Sequence, residues 1–153
     1  MLRTLALRII GTGMVCVSIA ACGDNQDDAG ARELLTRVRN EHYRDWDRAP
    51  GYATRRPSTG PHSNEVDIFV NAEVAQALAV GDHLAAWPVG STIVKDGWDG
   101  SDLQIIAILD KRSDGWYWAE FSGDGDPSYS GHPDTCISCH ARGSDSVRAF
   151  SLP

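Results

Sequence analysis

Hydrophobic and polar positions follow two rhythms along this chain, and the changes of rhythm mark its elements. From Ala31 to Trp46 the step is three or four: Leu34, Leu35, Val38, His42 and Trp46 share one face, with Arg32, Arg37, Arg39 and Glu41 elsewhere. That spacing predicts an amphipathic helix. Pro50-Gly51 ends any helix, and residues 47–64, with their Pro, Gly, Ser and Thr, read as a long loop. At Val66 the period drops to two. Val66, Ile68 and Val70 fall on one side and Asp67 and Phe69 on the other, as in a half-buried strand. Asn71 can cap a helix from Ala72 to Val80, with Gly81 as its stop. Trp87-Pro88-Val89-Gly90 makes a turn. Strands follow at Ser91–Lys95, at Leu103–Leu109 and, past the turn signal Asp114-Gly115, at Trp116–Phe121. Residues 122–133 read as a second long loop. Asp134 or Thr135 can cap a last short helix with Gly143 at its end, and Val147, Phe150 and Leu152 give the tail an apolar hold. The predicted fold is α+β. It is a mainly antiparallel sheet of about four strands with an N-terminal, a mid-chain and a C-terminal helix.

Met1 to Ala21 stands outside this pattern. Arg3 and Arg8 precede an apolar run, Ile9 to Ala20, too short and weakly flanked to span a membrane, and small residues lead into Cys22. Residues 1–21 therefore read as a lipoprotein signal peptide cut before a lipidated Cys22. The alternative, ordinary cleavage after Ala21, would leave an exposed free thiol. Two or three acyl chains would anchor the protein firmly. Gly23 in place of Asp after that cysteine leans toward the outer membrane, facing the periplasm. Residues 22–30 are polar, acidic and aperiodic, a flexible tether, and 31–153 form one domain.

Net charge is −7, and loss of Arg3 and Arg8 would take it to −9. That balance argues against nucleic acid and against electrostatic adhesion to anionic lipid; a solvated surface on a tethered domain is the commoner explanation, with steering of a basic partner as the alternative. Of the four cysteines, Cys16 leaves with the leader and Cys22 takes lipid. Only Cys136 and Cys139 remain, so the domain is no disulfide scaffold.

Those two carry the chemistry. Cys136-Ile137-Ser138-Cys139-His140 is C-x-x-C-H, the attachment sequence for haem c. Two thiols on one helical turn can each add to a porphyrin vinyl group, and the adjoining His140 then meets the iron. A thioredoxin-like C-x-x-C belongs at a helix start within a βαβ unit, not after antiparallel strands. A zinc site from His132, Cys136, Cys139 and His140 would need adjacent residues both to ligate. Met1 and Met14 are the only methionines, so the domain cannot offer the methionine ligand of high-potential electron-transfer cytochromes. His42, His62, His83 and His132 have no strong claim to the sixth position. His42 reads as a core histidine on the apolar helix face. An open sixth site is favoured, with bis-histidine ligation as the alternative.

From Arg48 to Leu152 the chain resembles the cytochrome P-460 and cytochrome c′-β family. The resemblance rests on Gly60-Pro61-His62, Val66–Asn71 and the Ala-rich helix after it, Trp87–Asp96, Trp116-Tyr117-Trp118, C-x-x-C-H, and Asp145-Ser146-Val147-Arg148. It implies an antiparallel β fold, a homodimer, and one five-coordinate high-spin haem that binds nitric oxide or oxidises hydroxylamine. The oxidising relatives cross-link a lysine to the macrocycle. Here the only lysines are Lys95 and Lys111, and none lies from Gly23 to Val94, which disfavours an oxidoreductase. The gas-binding relatives imply a distal phenylalanine, for which Phe69 is the candidate, with plain core packing as the equal alternative. Asp96 is the candidate proton acceptor, with a solvated turn carboxylate as the alternative.

Overall fold

The computed structural model describes residues 26–81 and 83–153. The leader and the lipidation site at Cys22 lie outside the described residues. Helix α1 spans Asp28–Asn40. Asp27 caps it, its carboxylate accepting the Gly30 N–H at 3.0 Å, so the last part of the expected tether is helical. The helix also ends earlier than its period suggested. His42 takes a left-handed backbone, φ +52°, and a 3-10 turn follows at Tyr43–Asp45. This corrects the reading of His42, which is exposed rather than a core histidine.

Among the described residues seven strands form one antiparallel sheet: β1 Asp47–Arg48, β2 Arg56–Pro57, β3 Glu65–Val70, β4 Thr92–Asp99, β5 Asp102–Arg112, β6 Gly115–Ser122 and β7 Pro127–Gly131. Their order is β1-β3-β4-β5-β6-β7, and β2 also pairs with β3. Both expected long loops thus contain strands. The strands β1, β2 and β7 escaped the sequence because an outer strand needs only backbone partners. Pro127-Ser128-Tyr129-Ser130-Gly131 has no apolar alternation to announce it. Helix α2, Ala72–Val80, follows its expected caps: Asn71 Oδ1 accepts the Val74 N–H, and Gly81 closes the helix at φ +65°. Helix α3, Asp134–His140, departs from expectation at both ends: Asp134 and Thr135 lie inside it with Pro133 at the cap position and no side-chain cap bond, and it closes at His140, before Gly143.

The sheet is covered on both faces, so β3 is buried rather than half-buried. Against α1, with Leu34, Leu35 and Val38, pack Phe69, Val94, Ile106, Ile108, Tyr117 and Phe121. On the opposite face Val66, Ile68, Val70, Ile93, Trp116 and Trp118 meet α2, Trp87 and the C-terminal tail at Val147, Phe150 and Leu152. Cys136 packs on this second face.

That division overturns two expectations. Phe69 lies edge-on to Tyr43 at 5.7 Å in the α1 core, on the far side of the sheet from the cysteines. Asp96 is fully buried on that same side. It accepts the Tyr43 hydroxyl at 2.8 Å and Arg44 Nε at 2.8 Å. The period of two separates each from the C-x-x-C-H face: Asp96 alternates with Lys95, and Phe69 with Ile68. Asp96 is a buried acceptor on the face away from the cysteines, not a solvated turn carboxylate.

No helix of the described residues is long and apolar enough to cross a membrane.

Candidate functional site

The C-x-x-C-H segment forms α3, a seven-residue helix with no buried side chain; Cys136 is half-buried and Cys139 exposed. So short a helix is far below the ~12–15 residues at which helices hold themselves. Its own packing is not what stabilises it. Arg148 braces its end, donating to the Cys139 carbonyl at 3.3 Å and to Cys139 Sγ at 3.2 Å. Burial, then the charges of Glu120 and Cys139, push the Cys136 thiol up to about 11.

His140 is held by one definite bond. Its Nδ1 lies 2.8 Å from the Ser146 carbonyl oxygen. A carbonyl only accepts, so Nδ1 carries the proton and Nε2 keeps its lone pair. Burial, opposed by the Ser146 hydrogen bond and helped by the nearby charges of Lys95, His62 and Arg148, holds the ring below the usual histidine range, which favours the neutral form a metal needs. Trp118 stands edge-on to this ring at 4.8 Å between centroids.

The sheet face beneath is a polar wall. Register aligns Lys95 with Ala107, and Ala107 with Glu120. Burial lowers the affinity of Lys95 for its proton, and Glu120, Arg148 and Cys139 are the charges that act on it. His62 reaches in from the loop before β3, its ring 6.2 Å from that of His140. His62 Nδ1 lies 2.8 Å from Glu120 Oε2 but out of line for a hydrogen bond, so this buried nitrogen has no bonded partner among the described residues. Gly97 makes the approach possible, because a Cβ there would collide with the His62 carbonyl.

Of the expected site residues, Cys136, Cys139 and His140 come together, and Phe69 and Asp96 do not join them. The sequence reading passed over Lys95 and Glu120 and left His62 without a role. Two signals were available: Lys95 shares its strand side with Ile93, and Glu120 shares its side with Trp116 and Trp118. His42 and His83 are exposed, and His132 stands edge-on to Tyr117 on the α1 side. Among the described residues no three His, Cys, Asp or Glu side chains converge to hold a metal ion. Two surface hollows, at Arg32 and Arg37 on α1 and at Ala77 and Leu84 beside α2, lie away from this site.

The donor set fits a haem. Two thiols stand three positions apart beside an imidazole whose Nδ1 is tied and whose Nε2 is free, on a helix short of packing of its own. Comparison with protein families decides the matter: Cytochrome P460 matches residues 40–150. The chain belongs to the cytochrome P460 family. Comparison with the curated proteins finds no match. As a P460 cytochrome the chain binds haem iron, and the matched stretch takes in the whole sheet, α2 and the C-x-x-C-H helix.

Proposed function

We propose that this P460 cytochrome carries one haem c, joined through Cys136 and Cys139, with His140 as axial ligand and the other coordination position open to nitric oxide or a similar small nitrogen compound. The observation that carries the reading is the His140 ring, tied at Nδ1 to Ser146 and free at Nε2, on the same helical turn as both thiols. The absence of any methionine beyond Met14 supports the open position. The bound haem would supply an iron that holds the ligand and exchanges electrons with it. The chain's own part is to fix His140, through Ser146 and Trp118, and to present the polar groups Lys95, Glu120 and His62 on the same face. Glu120 replaces Asp96 as the candidate proton acceptor. A ligand that must lose protons, such as hydroxylamine, suits this wall, and Lys95 weakens the sequence objection to an oxidoreductase that rested on a missing lysine. Cys22 would carry the lipid that tethers the domain, facing the periplasm, at the outer membrane, within reach of a redox partner and able to pair as a homodimer.

The test is optical. The reduced, fully matured protein is expected to show a high-spin spectrum that changes on adding nitric oxide, and Glu120→Gln is expected to slow any hydroxylamine turnover without altering the spectrum of the resting protein. A colourless product with both thiols still reactive would overturn the reading. The placement of His62 favours a second reading, electron transfer by a bis-histidine haem. It requires a low-spin spectrum that turns high-spin in His62→Ala.

A further inference from the structure

The His140 ring is oriented by a backbone oxygen, so whatever fixes that backbone fixes the ring. Ser144 to Val147 closes on itself through two hydrogen bonds, Ser144 N–H to Val147 O at 2.9 Å and Val147 N–H to Ser144 O at 3.1 Å. Its central residues, Asp145 and Ser146, have φ of +44° and +68°. Two successive left-handed residues are the mark of a type I′ turn, which favours glycine, asparagine and aspartate. Asp145 suits its place, but Ser146 holds φ +68° without being glycine, and a backbone strained in this way persists only where its surroundings over-determine it.

The surroundings do so. The Asp145 carboxylate accepts Lys111 Nζ at 2.9 and 3.1 Å and the Trp87 backbone N–H at 2.8 Å. The Asp145 carbonyl accepts Trp116 Nε1 at 2.8 Å, and the Ser144 carbonyl accepts Trp87 Nε1 at 3.3 Å. The Lys111 and Asp145 side chains are 13% and 18% exposed, so water screens their ion pair weakly. Gly143 lets the helix end meet this turn, since a Cβ there would press on the Val147 carbonyl. Through all these bonds the Ser146 carbonyl is left facing His140 Nδ1.

We propose that Asp145 is a positioning residue for the axial imidazole: with Lys111 it locks the strained turn whose Ser146 carbonyl holds His140 Nδ1, and so sets how strongly that ring donates to the iron. A donated Nδ1–H bond raises the basicity of a ligating imidazole and fixes its tautomer and orientation. Loosening the turn weakens that bond, makes the ring a poorer donor and stabilises ferric iron less.

The inference rests on His140 being the axial ligand, and the experiment separates the two. Asp145→Asn and Lys111→Met are compared with the parent as matured haem proteins, by the iron–histidine stretching frequency of the ferrous form, the reduction potential and the thermal midpoint. Both variants are expected to lower the frequency and raise the potential while keeping haem through a denaturing gel, Asp145→Asn more strongly. Ser146→Gly keeps the carbonyl and relieves the backbone, and should leave the frequency at its parent value. Variants that melt earlier but show an unchanged or higher frequency would overturn the proposal and leave the turn a purely structural clamp. If Asp145→Asn fails to fold, Lys111→Met, which leaves the Trp87 bond to Asp145 intact, decides it. A His140→Ala protein with the parent's iron spectrum would instead remove the axial reading on which the inference stands.

Discussion

Asp96 offers a test of which face of the sheet carries the chemistry. Its side chain is 1% exposed and holds two donors, the Tyr43 hydroxyl and Arg44 Nε. In Asp96→Ala the buried Tyr43 hydroxyl is orphaned, at a cost of about 1–3 kcal/mol. Arg44 is half exposed and turns to water, so its lost ion pair adds no more than about 1 kcal/mol. The void left by the carboxylate adds roughly another 1 kcal/mol. A loss of about 2–5 kcal/mol lowers the thermal midpoint of a chain this size by about 5–20 °C. Asp96→Asn keeps the volume and an acceptor for Tyr43, so it should cost only about 1 kcal/mol. The assay pairs a circular-dichroism melt with the haem spectrum and nitric oxide binding, both recorded well below the midpoint. Both variants should bind like the parent per folded molecule, with Asp96→Ala melting earliest. An Asp96→Ala protein that melts at the parent temperature but has lost binding or turnover would refute the argument and put the carboxylate back at the reacting centre.

Two further outcomes follow from the same geometry. Gly97→Ala should push the His62 loop off the sheet, costing about 1–3 kcal/mol and changing the ligand-bound spectrum more than the ligand-free one; a melt and spectra matching the parent's would show that His62 does not need this contact. In protein made without haem, exposed Cys139 should alkylate first at neutral pH. Cys136, whose burial holds the proton until about pH 11, should become reactive only as the pH climbs toward that value; mass spectrometry of timed digests checks the order, and equal rates at neutral pH would contradict it.

Local rules were enough to read much of this protein from its residues in order. Asn71 and Gly81 bound α2 because capping is settled within one turn of chain, and C-x-x-C-H declared its chemistry because its donors are contiguous. Alternation divided β3 into two faces, but periodicity has no sign. It could not say which face the cysteine helix would cover, so Phe69 was assigned to the wrong side, and Asp96, one residue past the expected strand, was left without a face. The outer strands β1, β2 and β7 were hidden because backbone pairing leaves little mark on side-chain pattern. Only the tertiary structure brought Lys95, Glu120 and His62 to one wall and hung His140 on a turn pinned by Lys111, Trp87 and Trp116. Those placements depend on strand register and on loops that meet across long stretches of chain, where one residue of slip would send every side chain to the opposite face.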